Sequence, residues 1–266
     1  MQLIIATWNI NSLRLRQAHL HKLVAELSPD VICLQETKVP DELFPEGIAA
    51  AINFPHVLKR GMKGYNGVAI LSRLPLTLAE TTPDWCGKND CRHISAQVET
   101  GAAPLTLHNF YVPAGGDIPD RAQNEKFAHK LDFLAEATAH FAAYPPHRAV
   151  LTGDLNIAPL EHDVWSHKQL LGVVSHTPVE VDGLNGWMAQ GWHDAVRHFV
   201  PPAQKLYTWW SYRNRDWAAS DRGRRLDHIW VTQDLTASLK GYKILRTARD
   251  WEQPSDHVPV AVTLSV

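Results

Sequence analysis

Apolar positions along this chain fall into short runs and longer stripes, two spacings that predict strands alternating with helices. Leu3–Trp8 reads as a strand interrupted by Asn9-Ile10-Asn11, and Val31–Leu34 as a buried strand running into Gln35-Glu36-Thr37-Lys38. Between them Leu20, Leu23, Val24 and Leu27 recur at helical spacing, predicting a helix over 17–27 that Ser28-Pro29-Asp30 stops. A second helix is expected over 42–51, then a strand pair over 56–60 and 68–71 around Lys63-Gly64-Tyr65-Asn66-Gly67. Strands follow over 93–98 and 105–109. Phe127, Leu131, Leu134, Thr138 and Phe141 share one face of a long helix, for which Asp120 is the expected cap. Val150 and Leu151 fit another buried strand, which Pro159 prevents from continuing. A helix over 178–190 and strands over 206–210, 226–232, 242–246 and 258–264 complete the pattern. No repeat, low-complexity tract or linker divides it, so one domain spanning residues 1–266 is expected.

Composition narrows the class. The 266 residues are 45% hydrophobic and 20% charged, enough apolar content for a substantial core. A net charge of −2 argues against a globally basic nucleic-acid binder, so contact with a polyanion must rest on local clusters. The start, Met1–Asn9, has no basic region and its apolar run ends too early for a signal peptide; no stretch suits a membrane span. Cys33, Cys86 and Cys91 are odd in number and badly spaced for disulfides. Cys86, Cys91 and His93 offer three zinc-type ligands at a spacing that matches no common site, with no fourth nearby. A reduced, cytoplasmic chain is expected.

Chemistry enters where the strands end. Asn9, Glu36, Tyr111, and Asp154 with Asn156 each follow an early strand; Asp227, and Asp256 with His257, each precede a late one. If the late strands run antiparallel to the early ones, all of these gather at one edge. Such a set is costly unless a cation or an anionic ligand joins it. Carboxylate and carboxamide oxygens favour Mg²⁺ or Mn²⁺ over zinc, and Glu36 with Asp256 or Asn9 suffices for an ion that keeps most of its waters. Oxygen-bound Mg²⁺ points to phosphate chemistry. Asp154 and Asn156 share a side if the strand continues; otherwise they form an Asx turn.

In order along the chain, Asn9-Ile10-Asn11-Ser12-Leu13-Arg14, Gln35-Glu36-Thr37-Lys38, Asn66-Gly67-Val68-Ala69, Tyr111-Val112-Pro113, Gly153-Asp154-Leu155-Asn156, Leu226-Asp227 and Ser255-Asp256-His257-Val258-Pro259-Val260 resemble motifs of the exonuclease III family. That family is the bacterial branch of the AP endonucleases, within the endonuclease/exonuclease/phosphatase superfamily. The resemblance implies a four-layer α/β sandwich, two packed mixed β-sheets flanked by helices. It implies that Asp154 positions or deprotonates the attacking water, with Asn156 holding phosphate or water beside it. Glu36 is then the principal metal ligand, with Asn9 and Asp256 around the ion. Asp227 orients His257 and raises its pKa, so that the cationic ring binds the scissile phosphate, which Tyr111 also contacts.

Arg213, Arg215, Arg222, Arg224 and Arg225 stand among Trp209, Trp210, Tyr212 and Trp217, while Lys59, Arg60, Lys63 and Arg92 add positive charge elsewhere. Either this is a solvated face or, as the interleaved aromatics suggest, a clamp on a nucleic-acid backbone. By the resemblance, Trp209 and Leu226 line a pocket for an abasic sugar, but an apolar or aromatic side chain is common in the family where Arg224 stands. Ser12 replaces a more usual glycine, and His228 follows Asp227. The expected function is a Mg²⁺-dependent DNA-repair nuclease, with Mn²⁺ as a substitute. It acts as a monomer on double-stranded DNA, as a 3′-5′ exonuclease, by cutting 5′ to abasic sites, or both. Open alternatives are a phosphoesterase of the same superfamily on RNA or phospholipid, and a catalytically silent DNA-binding protein. The complete set Asp154, Asp227 and His257 speaks against the last.

Overall fold

The computed structural model describes residues 1–79, 82–101, 103–214 and 216–266. Its central strands are buried along their whole length on both faces, as their near-continuous apolar runs require, and so each sheet must be covered twice. One six-stranded sheet runs, edge to edge, Leu239–Ile244, Val260–Ser265, Gln2–Asn9, Val31–Gln35, Val68–Ser72, His56–Arg60. The other runs Leu76–Leu78, His93–Val98, Leu105–Tyr111, Ala149–Asp154, Asp227–Thr232, Trp192–Asp194. Each sheet contains one parallel pairing, Gln2–Asn9 with Val31–Gln35 and Leu105–Tyr111 with Ala149–Asp154, among antiparallel ones.

Successive side chains of one strand serve different layers. Leu3, Ile5, Val31, Cys33 and Val150 join the core between the sheets. Ala6, Trp8, Ile32 and Leu34 face outward onto Leu20 and Leu23 of the helix His19–Leu27 and Ala49 of Glu46–Ala51. On the far side Leu151 and Trp230 pack against Phe133, Leu134 and Phe141 of Glu125–Ala143 and Leu184 and Trp187 of Pro178–Met188. The result is helix, sheet, sheet, helix: the four-layer α/β sandwich. No helix among the described residues is long and apolar enough to cross a membrane.

A polar lock crosses the seam beside the site. Asn109 donates from Nδ2 to the carbonyls of Leu34 and Ala69 in the opposite sheet, at 3.0 and 2.9 Å, and its Oδ1 accepts from Gln35 Nε2 at 2.6 Å. Gln35 also reaches Thr7 Oγ1, so the residue preceding Glu36 is held from two directions.

Several element boundaries differ from expectation for local reasons. The helix expected over 17–27 begins at His19 and ends at Leu27, and a separate short helix, Leu13–Arg16, precedes it. The stretch 42–51 divides into a 3-10 turn, Asp41–Leu43, and a helix, Glu46–Ala51, because Pro45 has no N–H for a continuous ladder. Asp120 does not cap the long helix: it closes a turn by accepting from the amides of Ala122 and Gln123, and Asn124 caps Glu125–Ala143. The strand expected over 206–210 shrinks to Trp209–Trp210, which pairs with Gly223–Arg224 and touches His257 through one isolated bridge. That expected over 242–246 lies at Leu239–Ile244, and that over 258–264 begins at Val260, after Pro259.

Candidate active site

Strand register assembles the site. Antiparallel pairing sets Asp227, the first residue of its strand, opposite Asp154, the last of its own. In the other sheet, Asn9 and Gln35 end two parallel neighbours, and Glu36 follows directly. The anticipated gathering of strand ends at one edge therefore occurs.

From that edge two lines of contacts run outward. In the first, Asn9 Nδ2 donates to Glu36 Oε1 at 2.9 Å and to Asp154 Oδ2 at 2.8 Å, bridging the sheets. His257 Nε2 lies 3.6 Å from the same Asp154 oxygen, and its Nδ1 is 2.8 Å from Asp227 Oδ2. Asp227 is set in turn by Thr208, whose Oγ1 accepts from the Leu226 and Asp227 amides. In the second line, Lys38 Nζ pairs with Glu36 Oε2 at 2.8 Å and donates to Asn11 Oδ1 at 2.6 Å. Asn11 Nδ2 continues to Asp256 Oδ1 at 3.0 Å, and Trp209 Nε1 donates to Asp256 Oδ2 at 2.9 Å.

Asn156 reaches Asp154 through a turn, not a continued strand. At φ 55° its backbone is left-handed, its amide donates to Asp154 Oδ1 at 3.0 Å, and its Nδ2 to Oδ2 at 3.1 Å. Asn11, Ser12, Glu36 and Lys38 also have positive φ. A left-handed residue costs roughly 1–2 kcal/mol outside glycine, so backbone strain concentrates where the strands hand over to the site. Ser12, at φ 90°, occupies a conformation suited to glycine.

Burial sets the protonation states. It pushes the Asp154 carboxyl up to about 7, with the neighbouring Asp227 adding to the rise and His257 and Asn9 restraining it. Burial acts to lower His257, but the carboxylates of Asp227 and Asp154 outweigh it and raise the ring to about 10. The imidazolium is thus the resting form at neutral pH. Burial also works against ionised Glu36, yet Lys38 and Asn9 hold it below the ordinary carboxylate value. Asp256 is likewise depressed, its burial outweighed by His257 and by hydrogen bonds from Trp209 and Asn11. Tyr111 is driven well above the usual phenol value by burial and by Glu36 and Asp154, and it remains an O–H donor.

Glu36, Tyr111, Asp154, Asn156, Asp256 and His257 open onto one cleft of about 650 Å³, whose wall includes Trp209, Arg213, Arg224 and Leu226. Asn9 and Asp227 lie behind that wall and meet it through Asp154, Glu36 and His257. Arg92 is not on the wall: its guanidinium stacks 4.9 Å over the Tyr111 ring and pairs with Asp90, supporting the tyrosine from behind. The arginine–tryptophan segment also divides. Arg225 is buried in ion pairs with Asp163 and Asp194, Trp210 is core, and Arg215 lies outside the described residues. His93 stacks on Phe110 at 3.9 Å and meets His108 rather than Cys86 or Cys91. Among the described residues, Asp154, Asp227 and His257 are the one group of three His, Cys, Asp or Glu whose donor atoms lie within 4.8 Å of one another.

Sequence reasoning missed the contacts of Asn11 and Lys38, although both stand inside the motifs, and it missed a fully buried ion pair. Lys130 Nζ donates to Glu180 Oε1 at 2.5 Å and to the Asn156 carbonyl at 2.8 Å. Glu180 also receives the amides of Ser175 and Thr177. Two signals were available: a lysine three residues beyond Phe127 on an apolar stripe, and Thr177-Pro178-Val179-Glu180, a capping box at a helix start.

The sequence profile of the Endonuclease/Exonuclease/phosphatase family matches residues 6–257. Exodeoxyribonuclease III of Haemophilus influenzae is 33% identical over 96% of this chain and 97% of its own length. An AP endonuclease structure from Archaeoglobus fulgidus superposes with a TM-score of 0.90 at 31% identity, covering 99% of this chain and all (100%) of that one. A structure of the 3′ phosphatase NExo from Neisseria, bound to a product DNA hairpin, gives 0.89 at 31% identity over 99% of this chain and 100% of that one.

Proposed function

The chain belongs to the endonuclease/exonuclease/phosphatase family, in its exonuclease III/AP endonuclease branch, and from that premise we propose a Mg²⁺-dependent DNA-repair nuclease. It is a phosphodiester hydrolase. The proposed substrate is duplex DNA, cut at 3′ ends or 5′ to abasic sites, and a similar protein was solved with a DNA product bound. Residues 1–266 act in this reading as a single catalytic domain and a monomer. The three free cysteines suit a reducing, cytoplasmic setting.

The observation that carries the reading is the line Asn9–Asp154–His257–Asp227, which joins two carboxylates through a cationic histidine at the floor of an arginine-lined cleft. A pKa raised toward neutrality suits Asp154 to take a proton from the attacking water, and the Asn9 and Asn156 amides fix its orientation. His257 donates from Nε2 to a non-bridging phosphate oxygen while Asp227 holds its other nitrogen. Tyr111 donates its O–H to the same phosphate. Trp209, Arg213, Arg224 and Leu226 line the substrate's path.

The residues present fit a hard divalent cation. Glu36 is kept ionised, its carboxylate already sits against the Lys38 ammonium, and the side chains that would share an ion with it, Asp256 and Asn9, are of carboxylate and carboxamide type rather than imidazole or thiolate. Glu36, with Asp256 or Asn9, would hold Mg²⁺, with Mn²⁺ as a substitute. When bound, the ion neutralises charge on the phosphate.

Purified protein on a duplex carrying one abasic site and a recessed 3′ end tests the reading. Cleavage is expected with Mg²⁺, none with chelator, and none for Asp154→Asn, whose affinity for the duplex stays near wild type. Cleavage that survives chelation, or an Asp154→Asn variant that turns over normally, would overturn it.

A further inference from the structure

We infer that Arg224 decides which 3′ terminus this cleft accepts, favouring a terminal phosphate monoester over a deoxyribose, whether abasic or intact. This rests on the nuclease reading above and narrows it. Arg224 is close to the chemistry: it pairs with Trp209, which bridges on its other side to His257. Two inter-strand steps of about 4.8 Å separate the Arg224 and His257 backbones.

The guanidinium covers the aromatic wall. It lies 5.4 Å from the centre of the Trp209 ring, and Arg222 sits 4.8 Å over Trp165 on the same cleft. A sugar entering here meets cations where it would need apolar surface. Nor is Arg224 free to swing away. Its Nη1 donates to the Val174 carbonyl at 2.9 Å and to Ser175 Oγ at 2.7 Å, and the Ser175 amide is itself held by Glu180. Among the described residues neither Nε nor Nη2 has an acceptor, and Nε is buried. Nη2, the one of the two that is not buried, suits an incoming anion.

Substrate chemistry selects the anion. Beyond the scissile phosphorus, an exonuclease substrate carries a nucleoside and an abasic substrate a bare sugar, but a 3′-phosphate carries only oxygens. The monoester needs no apolar wall, and with a second pKa of about 6 it bears an extra charge that a guanidinium can share. Its hydrolysis breaks the P–O3′ bond. One proton of the attacking water passes to Asp154, and the departing oxygen takes a proton from solvent, leaving a 3′-hydroxyl and inorganic phosphate.

Three duplexes differing only in the reacting group (3′-phosphate, recessed 3′-hydroxyl, internal abasic site) provide the test, with wild type, Arg224→Leu and Arg224→Lys. In wild type kcat/KM should be highest on the 3′-phosphate. Arg224→Leu should lower that value roughly 10- to 100-fold while abasic incision holds or rises, and Arg224→Lys should recover part of the loss. Binding of inorganic phosphate, followed calorimetrically without turnover, should weaken about tenfold in Arg224→Leu. Equal losses on all three duplexes in a variant that melts like wild type, or a wild type that prefers the abasic site, would overturn the assignment. If wild type cleaves none of the three, the nuclease reading falls, and unchanged phosphate binding in Arg224→Leu would then sink the Arg224 assignment on its own.

Discussion

A histidine is the pivot of the site because two carboxylates face its two nitrogens in a buried setting. Alone, burial would leave the His257 ring neutral; Asp227 at 2.8 Å and Asp154 at 3.6 Å make it a cation up to about pH 10. Its unfolded value is near 6.5, so between about 6.5 and 10 the folded protein holds a proton that the unfolded chain releases. The stabilisation this brings is complete below that window and is lost as pH rises through it. Wild-type urea midpoints should therefore fall from pH 7 to 10 more steeply than those of His257→Gln, and parallel curves would refute the cationic assignment. The same pairing predicts a kinetic signature. Asp227→Asn removes a negative neighbour, so the alkaline limb of kcat/KM should move to lower pH, and ring nitrogen chemical shifts should report the same displacement.

At the scale of elements, what matters is how helices reach the site they do not line. Lys130 projects from the long helix Glu125–Ala143 to the Asn156 carbonyl and to Glu180 of Pro178–Met188, so one buried pair ties two helices to the turn beside Asp154. Lys130→Met leaves the Glu180 carboxylate buried without its partner, a loss of about 3–5 kcal/mol in urea unfolding. The double variant with Glu180→Gln should recover much of that stability, yet keep a reduced kcat because the Asn156 turn remains untethered. Full recovery of kcat would make the pair purely structural. This pair also marks the limit of what could be read from the chain. Buried strands were legible because a strand covered on both faces must be apolar throughout, and the site residues because polar side chains at the ends of such strands have few other reasons to be there. The edge strands Leu76–Leu78 and Trp192–Asp194 escaped because three residues carry no measurable period. Asp120 and Asn124 are both good caps, and only the folded turn shows which one serves the helix. Periodicity places a lysine on a stripe but cannot name the acceptor it meets inside. For the same reason Arg225 read as a surface charge and proved to be a buried ion-pair partner.

Across the whole molecule, the site belongs to neither sheet. Asn9 and Glu36 come from one, Tyr111, Asp154 and Asp227 from the other, and the bond from Asn9 Nδ2 to Asp154 crosses the seam. A sandwich of apolar faces resists separation but is weak against sliding, since burial is non-directional and most small shifts cost little area. Directional bonds must fix the registration. Asn109 supplies them, with two carbonyls and one carboxamide of the opposite sheet in its reach, in the strand that ends at Tyr111. Asn109→Ala should cost about 3 kcal/mol, from a small cavity and from Leu34 and Ala69 carbonyls that lose the Asn109 donor. The consequence that distinguishes registration from simple stability is kinetic. Val98→Ala removes bulk from the same inter-sheet core without touching a polar contact, and should lose a few kcal/mol or less while leaving kcat near wild type when assayed well below its melting temperature. Asn109→Ala, assayed under the same conditions, should lose at least tenfold in kcat, because Asn9 and Asp154 no longer meet at one fixed spacing. If both variants retain full kcat while folded, the apolar faces alone hold the sheets in register, and the polar lock contributes only to stability.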